Sequence, residues 1–244
     1  MLGLSTLVEN INHPKPVGAT EGTVLGPFHT ADAHEFGNGD SICSPGKGEQ
    51  CLVRGTLRDT RGRPVAGAAV DVWETDETGR YDTQYAGRAF PDCRGIVHTD
   101  AHGAFWFKAV RPVPYPVPND GPVGKMLARL ARHPFRPSHM HFLIAAEGFD
   151  TLVTSLYIRG DQYETSDAVF GVKSSLIVDV ARVADKEVAA QYGVSADDWA
   201  ISYDFVLVSE KEAVELKIKQ APEALAALGS TATILNGLPV ADLD

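Results

Sequence analysis

A chain of 244 residues with 44% apolar and 22% charged residues has an ordinary globular composition, large enough for one substantial core, which excludes disorder and a disulfide scaffold. With 22 Lys+Arg against 32 Asp+Glu the formal charge is −10, which repels phosphate backbones and anionic lipid, so nucleic acid and membrane are excluded as partners. Cys43, Cys51 and Cys93 cannot all pair within one chain and form no CxxC; with no secretory signal and no bilayer-spanning apolar run, the sequence reads as cytoplasmic.

LGLSTLVENIN (2–12) places Leu2, Leu4, Leu7, Val8 and Ile11 at helical spacing, stopped by Pro14 and Pro16. Residues 1–16 are therefore read as an N-terminal helical segment. It starts without a polar lead-in or N-cap, as the remnant of a longer helix whose front is missing would. From Gly18 to Gly48 the chain is rich in Gly, Pro, His and Asp and is predicted to be an ordered loop wrapped over other elements. CLVRGTLRD, AAVDVWETD and GAFWFKAVRP are β-branched or aromatic segments between turn clusters and predict strands. VGKMLARLARH (123–133) sets Val123, Met126, Leu127 and Leu130 on one helical face behind Pro122. SHMHFLIAA and TLVTSLYIRGD, separated by Glu147-Gly148, then LIVDVARV and ISYDFVLVSE, predict further strands. The tail from Pro222 is Ala- and Leu-rich and carries no readable chemistry. The expected architecture is mainly β: a sandwich of mixed strands with long loops and one inserted helix over 17–244, plus the N-terminal helix.

His139 and His141 stand two apart in a predicted strand, so both imidazoles point to one face while Met140 and Phe142 point to the other. Such a pair either ligates a metal or is a hydrogen-bonded pair on a half-polar sheet face. Tyr115 lies in RPVPYPVPNDGPVG, fenced by Pro112, Pro114, Pro116 and Pro118; the fixed φ angles frame an extended loop, as a functional tyrosine or a structural crossover requires. Arg136, three residues before His139, is placed to reach the same space, although a lone arginine is most often a surface group.

These segments resemble the intradiol ring-cleaving dioxygenases, the family of catechol, hydroxyquinol and protocatechuate dioxygenases. In VRGTLRDTRGRPVAGAAVDVWETDETGRY the order of Gly55, Gly62, Val65, Asp71, Gly79 and Tyr81 looks like the family signature; the Tyr115 and Arg136-His139-His141 segments look like its later motifs. The resemblance implies one Fe(III) per chain held by Tyr81, Tyr115, His139 and His141, with Arg136 beside it. It also implies a small aromatic diol or triol and O2 as reactants, and a homodimer where the N-terminal helical segment is complete. Tyr81 would stay bound while Tyr115 leaves the metal and takes up a hydroxyl proton. TVLGPFH and SDAVFGVKSSLIVDV look closest to hydroxyquinol 1,2-dioxygenases, which implies a pocket of Val24, Leu25, Gly26, Pro27 and Phe28 opposite Val117, Pro118 and Val169. Catechol or chlorocatechol cleavage is the nearest alternative. Two more distant readings are a metal enzyme pairing the histidines with Asp120 or Glu147, and a transthyretin-like sandwich that binds an aromatic ligand without turnover.

Overall fold

A computed structural model describes residues 2–227, 229, 231–235 and 238–241; Met1 and 242–244, the outer ends of the two expected segments, lie outside them. After helix α1 (Leu4–Asn12) the predicted long loop contributes only β1 (Glu35–Phe36). Then come β2 (Gln50–Asp59), β3 (Ala69–Trp73), β4 (Arg94–His98) and β5 (Ala104–Val110). A two-residue ribbon of β6 (Tyr115–Pro116) and β7 (Phe135–Arg136) brackets helix α2 (Pro122–Arg129). Strands β8 (His139–Ala145) and β9 (Leu152–Ile158) are followed by β10 (Ile177–Val178), β11 (Ala181–Arg182), α3 (Lys186–Tyr192) and β12 (Trp199–Leu207). Helix α4 (Glu210–Ala227) leads to the hairpin β13 (Ala232–Leu235) and β14 (Leu238–Ala241).

Two sheets make the sandwich, ordered β1-β4-β3-β8-β9-β10 and β11-β12-β2-β5. Pairing is mixed: β3 runs antiparallel to β4 and β8, whereas β2 runs antiparallel to β5 and parallel to β12. Each strand turns alternate side chains inward. Val53, Leu57, Phe105, Phe107, Ile201 and Phe205 of one sheet meet Val70, Val72, Val97, Met140, Phe142 and Ile144 of the other in one buried cluster. Neighbouring strands approach closely where Gly55 of β2 lies opposite Tyr203 of β12; a Cβ there would sit 2.0 Å from the Tyr203 carbonyl oxygen.

Helices α3 and α4 add to the single inserted helix expected. Asp185 caps α3, accepting from the Glu187 and Val188 N–H groups, and Gly193 closes it in the left-handed region. At α4 Ser209 and Glu212 form a reciprocal capping box. The predicted strand LIVDVARV divides instead: β10 pairs with β9 in the first sheet and β11 with β12 in the second, so the chain changes sheets between Val178 and Ala181. Helix α1 buries none of its residues; Leu4, Leu7, Val8 and Ile11 are exposed.

Candidate metal centre

Because Met140 and Phe142 enter the core, alternation along β8 sends His139 and His141 to the opposite face, where both are buried. Trp73 ends β3 in register with His141, and its indole lies parallel on that imidazole (centroids 4.9 Å, interplanar 2°). Past β3 the chain reverses at Asp76–Gly79, with the Gly79 N–H donating to the Asp76 carbonyl, and brings Tyr81 back under the sheet. The Tyr81 N–H donates to Gln84 Oε1, and Asp82 receives the guanidinium groups of buried Arg94 and of Arg88. Tyr81 is fully buried with Phe28 stacked on its ring at 4.4 Å. On the ribbon, Tyr115 pairs in register with Arg136, which fixes the proline-framed tyrosine and the arginine at one end of β8.

Four donor atoms thereby meet. Tyr81 and Tyr115 hydroxyls are 3.1 Å apart, Tyr115 OH lies 3.5 Å from His139 Nε2, and the two histidine Nε2 atoms are 3.1 Å apart. His139 Nδ1–H donates to the Pro137 carbonyl (2.6 Å), so its Nε2 carries a lone pair facing inward. His141 Nδ1 shares a hydrogen bond with Ser155 Oγ (2.9 Å), itself 3.2 Å from Thr23 Oγ1. Burial, reinforced by Arg136 at His139 and by His139 at His141, holds both imidazoles well below the ordinary histidine range, as neutral donors. Burial, then the neighbouring Tyr115, pushes the Tyr81 phenol well above its ordinary value. Two imidazole nitrogens and two phenol oxygens converging on one point suit a hard, highly charged cation, which would make phenolate the favoured state. The donor set therefore fits a ferric ion, with the far imidazole nitrogens already tied down as ligand orientation requires.

Arg136 is buried as well. Its Nη1 donates to His139 Nε2 (2.9 Å), Nη2 to the Tyr157 hydroxyl (3.0 Å), and Nε pairs with Asp167 Oδ1 (3.2 Å). Of the expected pocket residues, Phe28 touches Tyr81, and a Cβ added to Gly26 would lie 3.7 Å from His141 Cε1, so this loop covers the donors. Val24, Val117 and Val169 are half-buried; Leu25, Pro27 and Pro118 are exposed. Asp120 and Glu147 are both exposed, and among the described residues no group of three His, Cys, Asp or Glu could hold a metal. Tyr85 donates a hydroxyl hydrogen bond to Asp76 and takes no part. Trp73, Ser155, Tyr157 and Asp167 join the site without a sequence signal: nothing local separates them from strand, turn or surface groups.

The comparisons with known proteins agree on a class. A family model described as dioxygenase matches residues 26–209. Over all 244 residues the chain is 59% identical to the intradiol ring-cleavage dioxygenase hqdA of Aspergillus niger, spanning 74% of that protein. It is 51% identical to the hydroxyquinol 1,2-dioxygenase of a Rhizobium species, over 85% of this chain and 71% of that one. The solved hydroxyquinol 1,2-dioxygenase of Pseudomonas putida DLL-E4 superposes with a TM-score of 0.78 at 41% identity, covering 86% of this chain and 73% of its own. The catechol 1,2-dioxygenase of Candida albicans stands further off at 35%. Fold and sequence together define an oxygen-incorporating oxidoreductase. Within that class, the chain belongs to the intradiol ring-cleavage dioxygenases.

Proposed function

We propose that the chain opens hydroxyquinol (benzene-1,2,4-triol) between its vicinal hydroxyls with O2, giving maleylacetate, the keto form of 3-hydroxy-cis,cis-muconate, in aromatic-compound degradation. The observation that carries this is the buried convergence of two phenols and two imidazoles beside a buried guanidinium. The triol is favoured because the relatives named for it are more similar than the one named for catechol. Tyr81, Tyr115, His139 and His141 would hold one ferric ion, which when bound supplies the Lewis acidity that draws electron density from the diolate ring. Both oxygen atoms of O2 enter the product as one ring C–C bond breaks, so no external reductant is consumed.

The residues divide the remaining work. Tyr81, wedged under Phe28 and tied at its backbone to Gln84, stays in place as the permanent anion. Tyr115 stands on a ribbon only two residues long, and its oxygen accepts a proton from a substrate hydroxyl as the substrate arrives. Arg136 Nη1, directed at the donor cluster, stabilises negative charge developing on the ring. The Gly26–Phe28 loop and the valines Val24, Val117 and Val169, with Leu25, Pro27 and Pro118 at the rim, form the wall against which a flat ring lies. The open apolar face of α1 supports a homodimer where the N-terminal helical segment is complete, and three free thiols support a cytoplasmic setting. Among the described residues no helix is long and apolar enough to cross a membrane.

Oxygen uptake by the iron-loaded protein on hydroxyquinol and on catechol tests this reading. Hydroxyquinol is expected to turn over faster. A catechol preference overturns the substrate assignment, and no uptake on either overturns ring cleavage. Two tyrosinates on ferric iron give a broad visible band; a colourless iron-loaded protein, or an unchanged band in Tyr81→Phe, removes the tyrosine ligands.

A further inference from the structure

Between β9 and β10 the chain carries a carboxylate that the roles above leave unused. Asp167 is 4% exposed. Its Oδ1 accepts from Arg136 Nε (3.2 Å) and from the Val169 N–H (3.2 Å), and its Oδ2 accepts from Arg136 Nη2 (3.3 Å) and the Gly171 N–H (2.8 Å). Each oxygen thus holds one arm of the guanidinium and one amide of its own loop. The loop hangs on the ribbon that bears Arg136: the Ala168 N–H donates to the Phe135 carbonyl (3.0 Å), and Arg132 Nη2 donates to the Asp167 carbonyl (3.0 Å).

A guanidinium is a planar fork, and a carboxylate gripping Nε and Nη2 fixes both its plane and the direction of the third nitrogen. Tyr157 OH takes a further bond from Nη2, so Nη1 alone is left to face His139. The backbone comes within reach because Gly171 has no side chain: a Cβ there would stand 2.7 Å from Tyr157 OH and 2.9 Å from Arg136 Nη2. The geometry points to Asp167 as the positioning residue of this site, a buried carboxylate that aims Arg136 Nη1 at the charge developing on the ring. This rests on the charge-stabilising role given to Arg136 above. Without that carboxylate the guanidinium is an unpaired buried cation, free to swing and repelled by the metal.

The test is a double-mutant cycle on the iron-loaded enzyme with Asp167→Asn, Arg136→Ala and both together, run on whichever diol or triol the wild type cleaves. Wild-type oxygen uptake reports on the proposed function; the cycle reports on Asp167 alone. Asp167→Asn is expected to lower kcat on the order of 10²-fold, the scale of a misplaced catalytic group, while KM, iron content and the visible band stay near wild type. In the Arg136→Ala background it should cost no more than about 2-fold further. Wild-type kcat in Asp167→Asn, loss of iron or of the band, or a full multiplicative loss in the double variant would each overturn the assignment. If Asp167→Asn fails to fold because its arginine is unpaired, the double variant should fold and match Arg136→Ala; failure of both to fold makes Asp167 a folding residue and rejects the proposal.

Discussion

At Gly171 a missing side chain decides how near two polar groups can come, because its φ is ordinary and only space is at issue. Gly171→Ala is expected to destabilise the protein by about 1–3 kcal/mol through overpacking and to cut kcat at least tenfold by displacing Arg136, while iron binding persists; urea unfolding and metal analysis read the two effects separately. Visibility in the sequence differed from one site residue to the next for a physical reason. His139 and His141 follow from alternation, a property of any strand, and Tyr115 stands out through its proline frame. Tyr81 and Tyr85 are indistinguishable locally; the Asp76–Gly79 reversal separates them, burying one and hydrogen-bonding the hydroxyl of the other to Asp76. Asp167 left no trace, since its function consists of bonds to residues 31 positions earlier and to its own loop.

Strands with strong alternation were readable as elements, and the pairing of two-residue segments was not. β6 and β7 are separated by a whole helix, and each contributes too few residues to form a pattern, yet their register puts Tyr115 opposite Arg136. The helices α3 and α4 had usable signals in Asp185, Gly193 and the Ser209–Glu212 pair, hidden because the neighbouring apolar residues also fit strands. Gly55 shows what a sheet element demands of one position: β12 lies so close that any Cβ strikes its backbone. Gly55→Ala is expected to part β2 from β12 and cost about 3 kcal/mol or more, seen as a lower urea midpoint; an unchanged midpoint would contradict this register.

Across the molecule, one buried acid sets a pH dependence of stability. Glu74 is almost fully buried, with Oε1 taking the Val110 N–H and the Cys43 S–H and Oε2 without a hydrogen-bond partner among the described residues. Burial pushes it up to about 8, from an ordinary 4.5. A carboxyl held protonated in the fold and ionised when unfolded contributes stability in full below 4.5, and that contribution is lost as pH rises to about 8. The loss amounts to a few kcal/mol. Glu74→Gln should therefore unfold at a higher temperature than wild type at pH 8 and show a flatter profile from pH 5 to 8; parallel profiles would place the ionisation elsewhere. The same strand end has an optical consequence. Trp73 lies flat on His141, a van der Waals layer from the donor cluster, whereas Trp106 and Trp199 belong to the other sheet. Its excited state decays by energy transfer into any visible chromophore formed there, and that transfer is steepest at short range. Intrinsic fluorescence then becomes a titration signal for iron occupancy: loading should darken the wild type, and Trp73→Phe should remove most of the change while leaving the emission of the other two.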